Sequence, residues 1–191
     1  MTRRLDGKPA RKAAASVVPA VAARPTRVII GIDPSLRGTG YGVIRAGSSQ
    51  PVVLAHGTIV CPKDWAHSRC LAAIMQQLRD MVREHQPETG VVEGLFFAQN
   101  LKTAIIMGEA RGVALAVLGE SGLDVYEIAT RKVKQAIVGY GAAQKLAVAK
   151  MVQRMLQLAE LPAPDAADAL ALALTHAREH NRYQLNPAKK L

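Results

Sequence analysis

Residues 28–33 read Val-Ile-Ile-Gly-Ile-Asp, a nearly continuous apolar run that ends on a carboxylate. An apolar run of this length predicts a strand that is buried on both faces of a sheet. Residues 34–40 are expected to form a turn, and residues 41–44, Tyr-Gly-Val-Ile, predict a second strand. With a third strand predicted over 52–60, these three are expected to be antiparallel neighbours in a meander.

The chain after residue 60 alternates between helix and strand patterns. Apolar residues at helical spacing predict a helix over 66–85, which Pro87 ends. The remaining predictions are strands over 91–93 and 124–128 and helices over about 99–120, 130–138, 144–159 and 165–180. This order predicts an α/β fold built on a five-stranded mixed sheet flanked by helices.

Composition excludes two classes of protein. The chain has 191 residues, 49% of them hydrophobic, which is enough for one globular domain with a continuous core. No apolar run approaches the roughly 20 residues of a membrane-spanning helix, so an integral membrane protein is excluded. The 2 cysteines are too few for a disulfide framework or a four-cysteine zinc site, which excludes a small disulfide-stapled secreted module.

The net charge of +10 is concentrated near the amino terminus. Residues 1–27 carry seven basic side chains and one acidic side chain, so more than half of the net positive charge lies in this segment. Residues 1–26 are predicted to be a basic, disordered arm, followed by one folded domain over 27–181 and a C-terminal tail over 182–191. An organelle transit peptide is the alternative for the arm. Because the folded part is only mildly basic, charge alone does not identify a nucleic-acid partner.

Four carboxylates stand out by their positions. Asp33 and Glu93 each close a short apolar run just before a turn residue, where an acid is expected to face a cleft at a strand end. For Asp33, initiating the Asp-Pro-Ser turn is an equal alternative. Asp165 and Asp168 are three residues apart on a helix and therefore share one face. Complementing the helix dipole is their alternative role, and it suits Asp165 better because the helix around Asp168 is apolar.

The four acids are a candidate metal site if they converge on one cleft, which their spacing permits but does not require. Carboxylate oxygens select Mg²⁺ or Mn²⁺ over zinc. Two such ions about 4 Å apart suit hydrolysis of a phosphodiester, because one generates the attacking hydroxide and the other neutralises the leaving 3′-oxygen. The residues thus favour a metal-dependent phosphodiester hydrolase.

Six motifs follow one another between residues 27 and 180. They are Gly31-Ile32-Asp33-Pro34 with Gly40-Tyr41-Gly42-Val43-Ile44, Val92-Glu93 with Phe96-Phe97-Ala98-Gln99-Asn100, Gly108-Glu109-Ala110-Arg111-Gly112-Val113, Lys132-Val133-Lys134-Gln135, Gly139-Tyr140-Gly141-Ala142-Ala143-Gln144-Lys145 and Asp165-Ala166-Ala167-Asp168-Ala169-Leu170. In order and spacing this set resembles the RuvC-type Holliday-junction resolvases. One Gly-Ile-Asp motif would be weak evidence, whereas six motifs at family spacing are specific.

The resemblance implies an RNase H-like fold that acts as a homodimer on a four-way DNA junction. Such an enzyme nicks two strands of like polarity symmetrically and leaves ligatable ends, in homologous recombination and DNA repair. It uses two Mg²⁺ ions per active site, with Mn²⁺ as a substitute. The matching positions make Asp33, Glu93, Asp165 and Asp168 the catalytic metal ligands. The resemblance also implies a branch-migration complex of the RuvA and RuvB type as a partner. It implies no membrane partner, and the implied location is the cytoplasm.

The resemblance also assigns three DNA contacts. Phe96 matches an aromatic residue that unstacks bases near the crossover, although an isolated phenylalanine more often belongs to a core. Lys134 and Lys145 match basic residues near the DNA backbone, and each is otherwise a solvated surface lysine. Some relatives carry histidine at the position of Asp165, which is therefore expected to be the most replaceable acid.

The Gly-x-x-x-Gly motif formed by Gly108 and Gly112 lies in a predicted helix. The resemblance places this helix at or near the dimer interface. Close packing of the glycines against the sheet is an equal alternative.

Other classes of protein share parts of the pattern. Actin-like ATPases and sugar kinases also begin on a Gly-Ile-Asp strand, but they need a second phosphate loop and a second domain, for which 191 residues leave no room. A catalytically silent junction-binding protein is disfavoured because all four acids are present. The shorter YqgF-type nucleases share the first-strand motif but match the Phe96 segment and the acids at 165 and 168 less well.

Overall fold

The computed structural model describes residues 26–47, 50–94, 100–179 and 188–191. Six strands and five helices lie in these ranges. The strands are β1 (Arg27–Asp33), β2 (Gly38–Ala46), β3 (Val52–Val60), β4 (Thr89–Gly94), β5 (Asp124–Ala129) and β6 (Lys189–Lys190). The helices are α1 (His67–His85), α2 (Leu101–Glu120), α3 (Thr130–Val138), α4 (Lys145–Leu156) and α5 (Pro164–Glu179).

The sheet is mixed, as predicted, with the strand order β3-β2-β1-β4-β5-β6. β1, β2 and β3 form the expected antiparallel meander, whereas β4 is parallel to both β1 and β5. The parallel pairing of β1 with β4 aligns Ile32 with Val92. Each of these residues is followed by an acid, so Asp33 and Glu93 lie side by side at one edge of the sheet.

The prediction of five strands is wrong by one short strand. β6 pairs antiparallel with β5, aligning Lys190 with Tyr126 and Lys189 with Glu127. Lys190 Nζ also lies 2.6 Å from Asp124 Oδ1. A strand of two lysines has no apolar alternation, so its pattern gives no strand signal, and the free edge of β5 supplies its partner.

The start of β2 also differs from the prediction, because Gly38 and Gly40 belong to the strand and not to the turn. Glycine is disfavoured within strands, but here it allows α5 to lie directly on the sheet. A Cβ atom at Gly40 would stand 2.0 Å from the Asp165 carbonyl oxygen, and one at Gly31 would stand 2.0 Å from that of Ala169. The close approach therefore depends on glycine, and it brings the start of α5 to the end of β1.

Helices cover both faces of the sheet. Ile29 and Val91 pack into a core with α3, α4 and α5, whereas Ile30 and Val92 pack into a second core with α1 and α2. Consecutive residues of β1 and β4 alternate between the two cores, which is why each strand reads as an unbroken apolar run. Of the helices in the described ranges, none is both long and apolar enough to cross a membrane.

Candidate active site

Asp33 and Glu93 form an acid pair at the ends of β1 and β4. Their carboxyl groups are close enough for protonated Asp33 to donate a hydrogen bond to Glu93. The turn after Asp33 is closed by Thr39, whose hydroxyl donates to the Ser35 carbonyl at 2.6 Å and accepts from the Ser35 amide at 3.2 Å. Since Thr39 closes the turn, the alternative role of Asp33 as its initiator is not needed.

α5 adds Asp165 and Asp168 to this edge of the sheet. Asp165 lies in the first turn of the helix, and its Oδ2 is 3.0 Å from the point where a Cβ of Gly38 would stand. The Asp168 side chain is 23% exposed, and its charge acts on Asp33. The structure thus brings together the four acids that the sequence singles out.

Mutual repulsion and burial perturb two of these acids. Burial, followed by the charge of Glu93 and the hydrogen bond to it, raises the pKa of Asp33 to about 8, and the charge of Asp168 adds to the rise. Burial also raises the pKa of Asp168, with further contributions from the charges of Glu93 and Asp165, while Lys145 opposes the rise. Carboxylates gathered in this way favour a bound proton or a cation.

Lys145, the first residue of α4, supplies a cation at this cluster. Its Nζ lies 3.0 Å from Asp168 Oδ2, and its side chain is 66% exposed. Burial works to lower the pKa of Lys145, but its hydrogen bond to Asp168 and the charges of Asp168, Asp33 and Asp165 outweigh that effect and raise it. The ammonium is therefore held in its charged form against the acids.

Glu93 is held by two residues that the sequence analysis did not single out. The Thr130 hydroxyl donates a hydrogen bond to Glu93 Oε1 at 2.5 Å. Arg111 Nε donates to the Glu93 carbonyl oxygen at 3.4 Å, and the same guanidinium is paired with the Glu127 carboxylate. Thr130 is the first residue of the helix predicted over 130–138, and this helix start is its only sequence signal.

Of the other two predicted DNA contacts, the structure describes Lys134 but not Phe96. Lys134 lies on α3, one turn after Thr130 and on the same helix face, and is partly exposed. Phe96 lies outside the described residues. Lys134 is thus placed on the face of α3 that meets Glu93.

The donor set fits a hard divalent cation. All four acids offer carboxylate oxygens, the ligands that Mg²⁺ and Mn²⁺ prefer. Burial is the main cause of the raised pKa of Asp33, and the charges of Glu93 and Asp168 add to it. Within the described ranges, no group of three His, Cys, Asp or Glu side chains is arranged to hold a metal ion as it stands. The fit to a divalent cation therefore rests on the kind of donor atom that the four acids offer.

The sequence and the fold are similar to those of known proteins. Residues 29–176 match the family model described as crossover junction endodeoxyribonuclease RuvC. The chain belongs to the RuvC family. RuvC of Bordetella avium is 46% identical over 149 residues, which cover 78% of this chain and 82% of that protein. RuvC of Coxiella burnetii is 45% identical over 153 residues, which cover 80% of this chain and 88% of that protein.

A solved RuvC structure has the same architecture. Thermus thermophilus RuvC, solved in complex with a Holliday junction substrate, superposes with a TM-score of 0.78 and 34% sequence identity, covering 86% of this chain and 99% of the other. The predicted RNase H-like fold is thereby confirmed. Membership of the RuvC family makes this chain an endodeoxyribonuclease, that is, a hydrolase of a metal-dependent family.

Proposed function

We propose that this RuvC-family chain resolves Holliday junctions by nicking two strands of like polarity symmetrically and leaving ligatable ends. The observation that carries the proposal is the gathering of Asp33, Glu93, Asp165 and Asp168 at one edge of the sheet. The junction in the Thermus thermophilus RuvC structure supports the choice of substrate.

The four acids would hold the ions, two Mg²⁺ per site, with Mn²⁺ as a substitute. Ions bound there supply an activated water and neutralise the leaving 3′-oxygen. The protein's own contribution is to hold the acids in place: β1 and β4 fix Asp33 and Glu93, and α5 fixes the other two. Asp165 is the acid whose replacement costs least.

Lys145 and Lys134 would act on the DNA backbone. Lys145 already lies against Asp168, and its exposed side chain has room to move toward an incoming phosphate. An ammonium positioned there stabilises negative charge as it develops in the transition state. Lys134, on the face of α3 that meets Glu93, would position the strand. Phe96 would stack on an unpaired base beside the crossover.

The exposed face of α2 supports a homodimer. Leu101 is 77% exposed and Ile105 is 53% exposed. In the part of the chain that the structure describes, no atom beyond the neighbouring helix backbone lies within 4 Å of a Cβ built at Gly108 or Gly112. These four residues are spaced by 4, 3 and 4 positions, so they form one stripe, opposite the buried Ala110 and Ala114. Among the described residues, nothing from the sheet contacts the two glycines, which supports the stripe as the surface that would meet a second copy of the chain.

The basic residues among 1–26 precede the family match, which begins at residue 29. They would raise non-specific DNA affinity through phosphate contacts, so deleting residues 2–26 should flatten the salt dependence of binding and leave metal-dependent cutting in place. A branch-migration complex of the RuvA and RuvB type would be the partner in the cell.

The test is cleavage of a synthetic four-way junction against a linear duplex of the same sequence, with Mg²⁺, Mn²⁺ or EDTA. We expect rapid cutting of the junction with either ion, none with EDTA, and nicked duplex products that DNA ligase seals without processing. Equal cutting of junction and duplex would contradict the proposed specificity. Products that ligase cannot seal would contradict the proposed symmetry or chemistry.

A further inference from the structure

The hydrogen bond from Thr130 to Glu93 joins two different elements of the fold. Glu93 and Gly94 of β4 pair in register with Ile128 and Ala129 of β5. Thr130 is the next residue after this pairing and the first residue of α3. The sheet register therefore places its hydroxyl beside the Glu93 carboxylate, where it donates to Oε1 at 2.5 Å.

The hydroxyl of Thr130 has no capping role in its own helix. The N-cap of α3 is Ala129, and no side-chain hydrogen bond caps that helix. The hydroxyl oxygen of a threonine near a helix start usually accepts a hydrogen bond from a free backbone amide of that helix. Here the side chain points across to β4 instead, so its position is explained by Glu93 and not by the stability of α3.

The backbone of Glu93 is fixed independently of Thr130. Arg111 contacts the Glu93 carbonyl and the Glu127 carboxylate, and the Arg111 and Glu127 side chains are only 16% and 28% exposed. A Cβ at Gly94 would stand 3.2 Å from Glu127 Cγ, so the strand end is packed tightly. With the backbone held, the rotation of the Glu93 carboxylate is the freedom that remains. The Thr130 hydroxyl restricts it, as does the hydrogen bond from protonated Asp33.

We propose that Thr130 is a positioning residue for the nuclease reaction, which fixes the Glu93 carboxylate in the orientation that binds a divalent cation. The proposal rests on the proposed function, in which Glu93 is a metal ligand. By occupying one lone pair of Oε1, the hydroxyl leaves the remaining lone pairs of the carboxylate facing the acid cluster. Partners that orient metal ligands in this way typically contribute 10- to 100-fold to metal affinity or activity.

The test uses Thr130→Val, which keeps the shape and removes the hydroxyl, against Thr130→Ser, which keeps the hydroxyl. Metal binding is measured without DNA, by calorimetric titration of the full chain with Mn²⁺. We expect Thr130→Val to weaken Mn²⁺ binding about tenfold and to raise the metal concentration for half-maximal cutting by a similar factor. Thr130→Ser should behave as the wild type, and junction binding in EDTA should be unchanged in both variants.

Each result either supports or overturns the positioning role of Thr130. Wild-type Mn²⁺ binding by Thr130→Val, or equal losses in the Val and Ser variants, would overturn the proposal. Thr130→Ala controls for a packing defect in the Val variant, because it removes the hydroxyl and leaves a smaller side chain. It has to show the same weakening of Mn²⁺ binding. If Glu93→Gln cuts normally, the proposed function itself fails, whereas an inactive Glu93→Gln with a normal Thr130→Val overturns only the positioning role.

Discussion

Lys145 Nζ lies 3.0 Å from Asp168 Oδ2, so the start of α4 brings a cation to the acid cluster. The lysine side chain is 66% exposed, and ion pairs of such exposure contribute little to stability. Its position is better explained by the chemistry of the site. The ammonium balances the charge of the acids, and in the proposed function it would contact a phosphate that approaches them.

Replacing Lys145 with methionine should slow cutting more than it weakens binding. We expect the single-turnover rate to fall by about 10²-fold, the effect typical of removing one group that stabilises transition-state charge. Lys150→Met is the matched control, because Lys150 is an exposed lysine on the same helix and its loss changes the net charge equally. Equal rate losses in both variants would show that only overall charge matters.

The stability of the metal-free protein should depend on pH through Asp33. Its pKa is about 8 in the folded protein against an ordinary value of 3.8, so the folded state holds the proton more tightly. The resulting stabilisation is complete below pH 3.8 and is lost as pH rises through 8. Asp33→Asn removes this titration, so the variant does not lose this contribution to stability as pH rises. The Tm of the variant minus the Tm of the wild type, both measured in EDTA, should therefore increase from pH 4 to pH 8.

Saturating Mg²⁺ should raise the Tm of the wild type most at the upper end of that range, where the acids are ionised. Asp33→Asn should show a smaller rise with Mg²⁺. A Tm difference between variant and wild type that stays constant with pH would contradict the electrostatic account of the cluster.

Gly40→Ala should displace the start of α5. The new Cβ would stand 2.0 Å from the Asp165 carbonyl oxygen, a backbone atom that cannot yield without moving the helix. We expect a loss of about 1–3 kcal/mol in the free energy of unfolding, measured with urea, together with a loss of cutting. Gly119→Ala is the control, because none of the described residues beyond the adjacent helix backbone comes within 4 Å of a Cβ there, and the helix should gain stability. Normal cutting by Gly40→Ala would show that the close approach of α5 is dispensable.

Ile105→Asp should convert the proposed homodimer to a monomer by placing a charge in the stripe of α2 formed by Leu101, Ile105, Gly108 and Gly112. Leu146→Asp is the control, since Leu146 on α4 is 55% exposed and Ile105 is 53% exposed. Sedimentation velocity should give the mass of a dimer for the wild type and the control and that of a monomer for Ile105→Asp. The monomer should also lose paired nicking of the two strands. A dimeric Ile105→Asp would contradict the assignment of the interface to α2.

The sequence predicted the elements that carry strong periodicity and missed relationships made by tertiary contact. The apolar runs before Asp33 and Glu93 indicated buried strands, but their parallel pairing is known only from the structure. Nothing local indicates β6, because two lysines become a strand only through the edge of β5. Likewise, the link from Thr130 to Glu93 spans 37 positions and arises from sheet register, which no local pattern encodes.

In the proposed function, Asp33, Glu93 and Asp168 perform catalysis and are not required for the fold or for DNA recognition. The most direct test measures junction cutting with Mg²⁺ and junction binding in EDTA for Asp33→Asn, Glu93→Gln and Asp168→Asn. Glu84→Gln is the control, because Glu84 is 65% exposed on α1 and its replacement removes the same charge. We predict that the three variants bind the junction without cutting it, while the control does both. Cutting at the wild-type rate by any of the three, or loss of binding in all three, would contradict the account.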